Sequence, residues 1–424
     1  ATGFIGGPAG ELQNLTRHHP AGIKYDSTIS VAFGSGTRGI ELTASPNTNR
    51  SLNLPIVYTL GSTKYVECVS CHDPHLQDPN IANDDGKKGK FLRVTGSTLA
   101  GKISTTCTHC HTKTGWTGSI HQSGIVAYNY VDATVSQTFG TGAMSGLVCM
   151  NCHKTHKGLG APYLLRQQWS RTCFQGAGAN NNECHATLLG KSTSLLTVFS
   201  RTYKHPIVSD VSSTSKHTNL DVLYPLGGTP ALSKGLDWAT SRHAECVDCH
   251  NPHKAKNTPA RVGTASWYPT TVTSTSNLTS NSGALTGVTG VEPTWPALLW
   301  TVPTTFTTQE SSTYEYQICF KCHSYWALRD ADGITTYTTA SGVTVTDQAM
   351  EFNPNNKSAH PVVVGLSSQT GSTAPKPLAA VQMSAPWATN LGTQTMYCSD
   401  CHGTDSENAG DPKGPHGSSY KYML

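Results

Sequence analysis

The stretch Cys246-Val247-Asp248-Cys249-His250-Asn251-Pro252-His253 constrains the fold more than any other in this chain. Two cysteines spaced C-x-x-C with a histidine directly after them form the c-type haem attachment signature. The thiols add to the two porphyrin vinyl groups, and the adjacent histidine is placed under the iron as its axial ligand. The pattern recurs at Cys68/Cys71/His72, Cys107/Cys110/His111, Cys149/Cys152/His153, Cys319/Cys322/His323 and Cys398/Cys401/His402. A seventh site, Cys173 with Cys184-His185, keeps the ending but separates its cysteines by a spacer running from Phe174 to Glu183. Seven haem c groups would use all 14 cysteines. Structural zinc also draws on paired C-x-x-C, but it does not require a histidine after every second cysteine. With 19 histidines in 424 residues, each such placement has a chance of about one in twenty. Disulfides are set aside because the seven sites leave no cysteine over.

Seven haems change what the length implies. About 61 residues per haem leave little chain for a separate protein core, so the polypeptide should wrap its porphyrins. Charged residues are 13%, roughly half the usual share, and the polar bulk is Ser, Thr, Asn and Gly. Such a chain buries little apolar surface alone, and the apoprotein is expected to be unfolded. The polypeptide carries +4. Propionates and ferric cores bring the holoprotein to about −3 oxidised and about −10 reduced, so no nucleic-acid partner is expected. No apolar run is long enough for a membrane span. Ala1-Thr2-Gly3-Phe4 lacks a charged n-region and an apolar h-region. Because covalent haem attachment follows export, Ala1 is read as the residue left by signal cleavage. The expected location is extracellular, or periplasmic if the protein does not polymerise.

Seven proximal histidines leave twelve others. His75, His156 and His253 sit three residues after a proximal ligand, where they cannot reach the far face of the same iron but can reach an adjacent one. His205-Pro206-Ile207-Val208 and His360-Pro361-Val362-Val363 look like one element used twice, and His18-His19-Pro20 resembles them. Proline fixes the backbone after the imidazole and suits a rigidly held distal ligand. His416 lies in Pro415-His416-Gly417. The distal candidates are therefore His19, His75, His156, His205, His253, His360 and His416, with His121 and His243 in reserve. His109, inside its own attachment loop, and His217 read as spare. Two imidazoles on every iron would leave no open position, predicting low potentials and electron transfer. No catalytic residue is assigned. The long-spacer site keeps two alternatives, a haem held by Cys184 alone with Cys173 free, and a catalytic haem of unusual attachment.

In chain order the sites form three doubled units, a C-x-x-C-H-x-x-H site and then a plainer one, followed by a lone fourth opening at Cys398. The organisation expected is residues 1–130 for an N-terminal arm and haems 1 and 2, 131–200 for haems 3 and 4, 201–350 for haems 5 and 6, and 351–424 for haem 7 and a tail, in one continuous haem-cored domain. The fold class is mostly irregular coil with short helices and little strand, wrapped around seven covalently bound haems. Helices are expected at 162–174 and 315–329, and the Thr/Ser/Gly-rich 261–313, with Trp267, Trp295 and Trp300, is expected as loop. Sequons at Asn14, Asn49, Asn277 and Asn356 read as chance.

These residues resemble the multihaem c-type cytochromes with doubled C-x-x-C-H motifs, in particular the filament-forming outer-surface cytochromes of metal-respiring microbes. The likeness rests on Cys-Val-Ser-Cys-His-Asp-Pro-His at 68–75, Cys-Val-Asp-Cys-His-Asn-Pro-His at 246–253 and the Thr/Ser/Gly-rich connections. The count of seven and the long spacer depart from that pattern. The resemblance implies bis-histidine haems stacked in a continuous chain, few regular elements, and a histidine of one subunit ligating a haem in the next. Its partners would be further copies joined head-to-tail, with redox proteins or extracellular mineral and cell acceptors beyond them. A discrete secreted or periplasmic carrier is the alternative, and a multihaem reductase a third. For the crossing ligand the sequence suggests His75, placed for a haem preceding its own, with His416 second.

Overall fold

The structure is a computed structural model. It describes residues 19, 21–25, 58–73, 105–123, 127–132, 137–143, 152–156, 170–175, 195–205, 244–256, 283–328, 336–338, 344–365, 379–383, 395–405 and 414–424. Isolated positions 42, 93, 149, 158, 164–165, 185, 207, 281, 388 and 412 are also described. His18, His75, Cys184, His217, His243, Trp267 and three of the sequon asparagines lie outside them.

Short helices and modest strand make up the regular structure. No described helix exceeds the six residues of Ser170–Gln175, which occupies only the end of the helix expected over 162–174. The helix expected over 315–329 is two, Glu315–Cys319 and Tyr325–Leu328, parted by the turn that carries Lys321, Cys322 and His323. Among the described residues no helix is long and apolar enough to cross a membrane.

The chain divides into two compact units, 1–189 and 190–424. The first holds the first four of the cysteine–histidine motifs, numbered sites one to four in chain order, and the second holds sites five to seven. In the first unit Thr63–Val66 pairs antiparallel with both Ile23–Lys24 and Tyr58–Leu60. A hairpin joins Ala127–Asp132 to Gln137–Ala143, with an irregularity between Asn129 and Val131. Its only buried apolar side chains among the described residues are Tyr25 and Phe174.

The second unit has a true hydrophobic cluster of Val291, Tyr316, Phe320, Ala349, Val362 and Val363, against which Trp295, Phe306 and Trp326 pack. Part of the segment expected as loop builds it. Gly290–Pro293 pairs antiparallel with Phe306–Gln309, burying Val291 on the core side. Trp295 stands edge-on to Phe320, while Trp300 is exposed. Asp347 caps the helix Gln348–Glu351 by accepting from Met350 N–H (2.7 Å) and also accepts from Tyr325 N–H. Asn356 donates to the Met350 and Glu351 carbonyls and is 1% exposed, so its sequon is closed to modification in the folded chain.

Candidate functional site: paired imidazoles over cysteine turns

The C-x-x-C segments fold as single tight turns, of two kinds. Cys68–Cys71 and Cys246–Cys249 are helical from the first cysteine to the second. At four other sites the second cysteine, Cys110, Cys152, Cys322 or Cys401, falls outside any helix. Its N–H closes onto the carbonyl of the first cysteine, at 3.2, 3.3, 3.0 and 3.2 Å in that order. Cys152 lies in a plain turn, and Cys401 follows the 3-10 turn Cys398–Asp400 and is exposed. The six C-x-x-C-H motifs, alike in sequence, are therefore not one repeated helical turn, and Cys152 and Cys401 are the clearest departures. Residues three apart share a face of a helical turn, and they eclipse in a turn closed over three residues. In both kinds the two thiols are presented on one side.

The side chain between the cysteines caps its own turn. Ser70 Oγ accepts from Glu67 N–H at 2.9 Å, Asp248 Oδ2 from Glu245 N–H at 2.8 Å, and Asp400 Oδ2 from Tyr397 N–H at 2.8 Å. Among the described residues no disulfide ties any cysteine.

One hydrogen bond closes every site. The N–H of the proximal histidine donates to the carbonyl of the first cysteine, at 3.0 Å for His72 and 2.9 Å for His111, His153, His250, His323 and His402. The long-spacer site closes in the same way, His185 N–H to Cys173 carbonyl at 3.1 Å. Cys173 thus stands to His185 as each first cysteine does to its histidine. That geometry favours attachment through Cys173 over a haem held by Cys184 alone.

The histidines then meet in pairs. Ring centroids are 6.3 Å apart for His19–His111 and for His72–His156, and 6.1 Å for His121–His185, His205–His323 and His250–His416. Each pair joins a proximal histidine to one from elsewhere in the same unit. A metal–imidazole bond is about 2.0 Å and the donor nitrogen lies about 1.1 Å from the ring centre, so two imidazoles on opposite sides of one ion have centroids about 6.2 Å apart. Among the described residues no cluster of three or more His, Cys, Asp or Glu donors surrounds a metal position. Two trans imidazoles alone would leave a bare ion short of ligands. A tetrapyrrole would supply the missing equatorial four, and the cysteines beside each proximal histidine are the residues that would hold it. The donor set fits haem and does not fit a bare zinc ion.

Second contacts orient several rings. His250 and His402 lie with Nδ1 against the Ala284 and Tyr422 carbonyls, at 3.1 and 2.8 Å, and His205 with Nδ1 against the Pro415 carbonyl. An Nδ1–H donated to a carbonyl fixes the tautomer and turns Nε2 toward the metal. Burial lowers the pKa of His205, and burial followed by the nearby His19 and His153 brings His111 down to about 4. Both rings are therefore neutral near neutral pH, with a lone pair for a metal.

The attachment turns also touch one another. The Cys107 thiol is hydrogen bonded to that of Cys149, and the Cys319 thiol to that of Cys398. Haems at sites two and three, and at six and seven, would meet through their thioether edges. The two units thus repeat with a period of four sites, one matching five, two matching six, three matching seven. His-Pro segments serve the second member in each, His19 at site two and His205 at site six. Each also runs beside the segment that carries or adjoins the other distal ring. His19 N–H donates to the Thr155 carbonyl at 2.7 Å, next to His156, and Tyr203–Lys204 pairs with Gly417–Ser418, next to His416. Ring planes follow the same repeat, 26° and 25° at sites one and five against 84° and 69° at sites two and six.

The close approach at His416 needs glycine. A Cβ on Gly417 would run into the Val198 carbonyl oxygen. Gly417→Ala is expected to push the His416 strand off its place and weaken site five selectively, read as loss of one low-spin haem.

Of the sequence candidates, His19, His156, His205 and His416 lie opposite proximal rings. His121, held in reserve, does as well. Its short helix Ile120–Ser123 is entered through Ser119, whose Oγ accepts from Gln122 N–H at 3.1 Å. That Ser-x-x-Gln pattern is the sequence signal for it. His253 N–H donates to Asn251 Oδ1 at 3.0 Å. His109 lies with Nδ1 against the Thr105 carbonyl inside its own turn. The His360 and His402 rings face no other imidazole among the described residues. Sequence reasoning missed Arg93, which forms an ion pair with Asp73 at 3.1 Å while its N–H donates to the Cys71 carbonyl at 2.9 Å, latching the first attachment turn.

No known protein family, curated protein or solved structure matches the chain, so its own pattern of cysteines and facing imidazoles carries the functional argument.

Proposed function

We propose that this chain is an exported heptahaem c-type cytochrome that moves electrons along its haems, assembled as a head-to-tail polymer of itself outside the cell. The observation that carries the reading is the set of five facing imidazole pairs at iron-spanning separation, each over a cysteine turn. Iron with two histidine ligands has no position for oxygen or substrate, and such ligation keeps potentials low. The touching thiols at Cys107–Cys149 and Cys319–Cys398 would bring neighbouring porphyrin edges close enough for fast transfer.

Intact mass should exceed the 45.1 kDa polypeptide by seven haem masses. Six would remove Cys173, Cys184 and His185 from the attachment sites, and none would end the reading. Electron microscopy of the secreted fraction separates polymer from discrete carrier. Paramagnetic resonance of the oxidised protein adds a finer check. Near-parallel imidazole planes split the iron d orbitals strongly and near-perpendicular planes leave them close in energy. Two haems, at sites one and five, should give rhombic low-spin signals, and those at sites two, four and six strongly anisotropic ones. A single class of signal would contradict the pairings.

The polymer requires a ligand that crosses between copies. His416, facing His250 within its own unit, is removed from that role. His360 takes it in the reading proposed here. The His205 and His360 carbonyls each accept from the N–H two residues on, Ile207 and Val362, both at 2.8 Å. The two are one element, and in the first the ring faces a proximal histidine. The unmatched His402 ring also supports a second reading, in which haem seven keeps an open position and binds a small ligand. A high-spin haem that persists in assembled material and binds carbon monoxide would favour that reading.

A further inference from the structure

Haem six, held by Cys319, Cys322 and His323 in the reading above, is flanked by two buried side chains of opposite charge. Lys321 lies inside its attachment turn and is 3% exposed. Its Nζ donates to the Asp248 carbonyl at 2.5 Å and to Thr289 Oγ1 at 3.3 Å, reaching the attachment turn of site five. Glu315 opens the helix that ends at Cys319 and is 7% exposed. Its carboxylate accepts from Ser399 N–H at 3.2 Å and from the Ser399 hydroxyl, reaching the attachment turn of site seven. An ammonium and a carboxylate thus tie the turn of site six to the turns on either side of it.

Both charges reach the same sulphur. The Cys319 thiol is pushed up by its hydrogen bond to Cys398 and by burial, Glu315 pushes it further, and Lys321 opposes. Other ionisable groups stand close. Asp248 and Glu245 are each 2% exposed on the site-five side, and Glu292 accepts from Tyr316 and Gln317. Lys321 is the described cation buried among these carboxylates. In the first unit the matching positions carry Ser70 for Asp248 and His109 for Lys321, so the buried charge is a property of the second unit.

A fixed charge a few ångströms from a haem in a low-dielectric interior favours the oxidation state that balances it. We propose that Lys321 and Glu315 set the reduction potential of haem six, the ammonium raising it and the carboxylate lowering it. This rests on the haem reading of the site.

The test is a potentiometric titration of holoprotein followed by paramagnetic resonance, on the wild type, Lys321→Met, Lys321→Arg and Glu315→Gln, with haem number checked by mass. Lys321→Met should move one strongly anisotropic low-spin haem to lower potential, changing its oxidised-to-reduced ratio at fixed potential at least tenfold, which is 59 mV for a one-electron couple. Glu315→Gln should move the same signal the other way, and Lys321→Arg should leave it in place. Glu315→Gln keeps the size and the hydrogen-bond acceptor, so it decides the matter if Lys321→Met does not accumulate. Unmoved signals, or shifts of one sign in both variants with seven haems attached, overturn the proposal. A chain without haem overturns the function instead.

Discussion

Produced without haem attachment, the first unit is expected to lose its fold completely, while part of the second keeps slowly exchanging amides. The two differ in what the polypeptide buries by itself. Tyr25 and Phe174, the buried apolar side chains described in residues 1–189, supply about 1.5–3 kcal/mol each. Hairpins and turns add little, because intramolecular hydrogen bonds largely replace bonds to water. In the proposed reading, porphyrin faces would supply further apolar contact. The second unit has the cluster around Val291, Tyr316, Phe320 and Val363, with Asp347 and Asn356 fastening its loops. Hydrogen exchange read by mass spectrometry on the haem-free chain should show residues 1–189 exchanging at unfolded-chain rates, with protection confined to 288–364. Circular dichroism should show no cooperative melt for the first unit. A cooperative transition there would mean that protein contacts alone specify the fold.

The attachment sites are legible because their chemistry is local. Two thiols and an imidazole must lie within one turn, and that requirement is written as consecutive residues. Even the long spacer obeys it in space, since Cys173 and His185 close as the others do. The form of each turn is less legible. Nothing in the motif separates Cys71 and Cys249, which end helical turns, from Cys152 and Cys401, which do not. Distal partners are only half legible. His156 is recognisable as a candidate ligand from its place after His153, yet nothing in the sequence says that it faces His72 rather than another imidazole. The pairing is made by backbone contacts such as His19 to Thr155, between segments far apart in the chain. The doubled units seen in chain order group sites by sequence distance, and the facing pairs add a longer period of four sites, or two such units. His121 is easily undervalued because its helix is one turn long and carries no periodicity, leaving only the Ser119 cap as a sign. The hairpin at 290–309 hides behind a threonine-rich composition that reads as loop, although a single buried valine, Val291, is enough to give it a core face.

His360→Ala is expected to leave seven haems attached and to abolish the polymer. The backbone of the His360 element is firmly fixed. Val362 N–H closes onto its carbonyl, Met396 N–H donates to the Pro361 carbonyl at 2.8 Å, and Val362 and Val363 are buried in the core. Such anchoring holds an exposed imidazole at a set place on the surface, which lowers the entropic cost of binding a metal there. Site seven offers the complement. His402, with Nδ1 against the Tyr422 carbonyl, would offer its other nitrogen to an iron, and its ring faces no other imidazole among the described residues. One copy's His360 on the next copy's haem seven makes a contact between two different surfaces, and such contacts propagate into an open filament when the rotation does not close. Isolated monomer should therefore show a high-spin haem at site seven, which turns low-spin on assembly. In His360→Ala the high-spin signal should persist at every protein concentration, and electron microscopy should find only discrete particles. His75→Ala is the comparison, since the sequence alone favours that residue for the crossing. Filaments that survive the loss of His360 and vanish with the loss of His75 would reassign the bond. A monomer with no high-spin haem would place the seventh ligand within the chain.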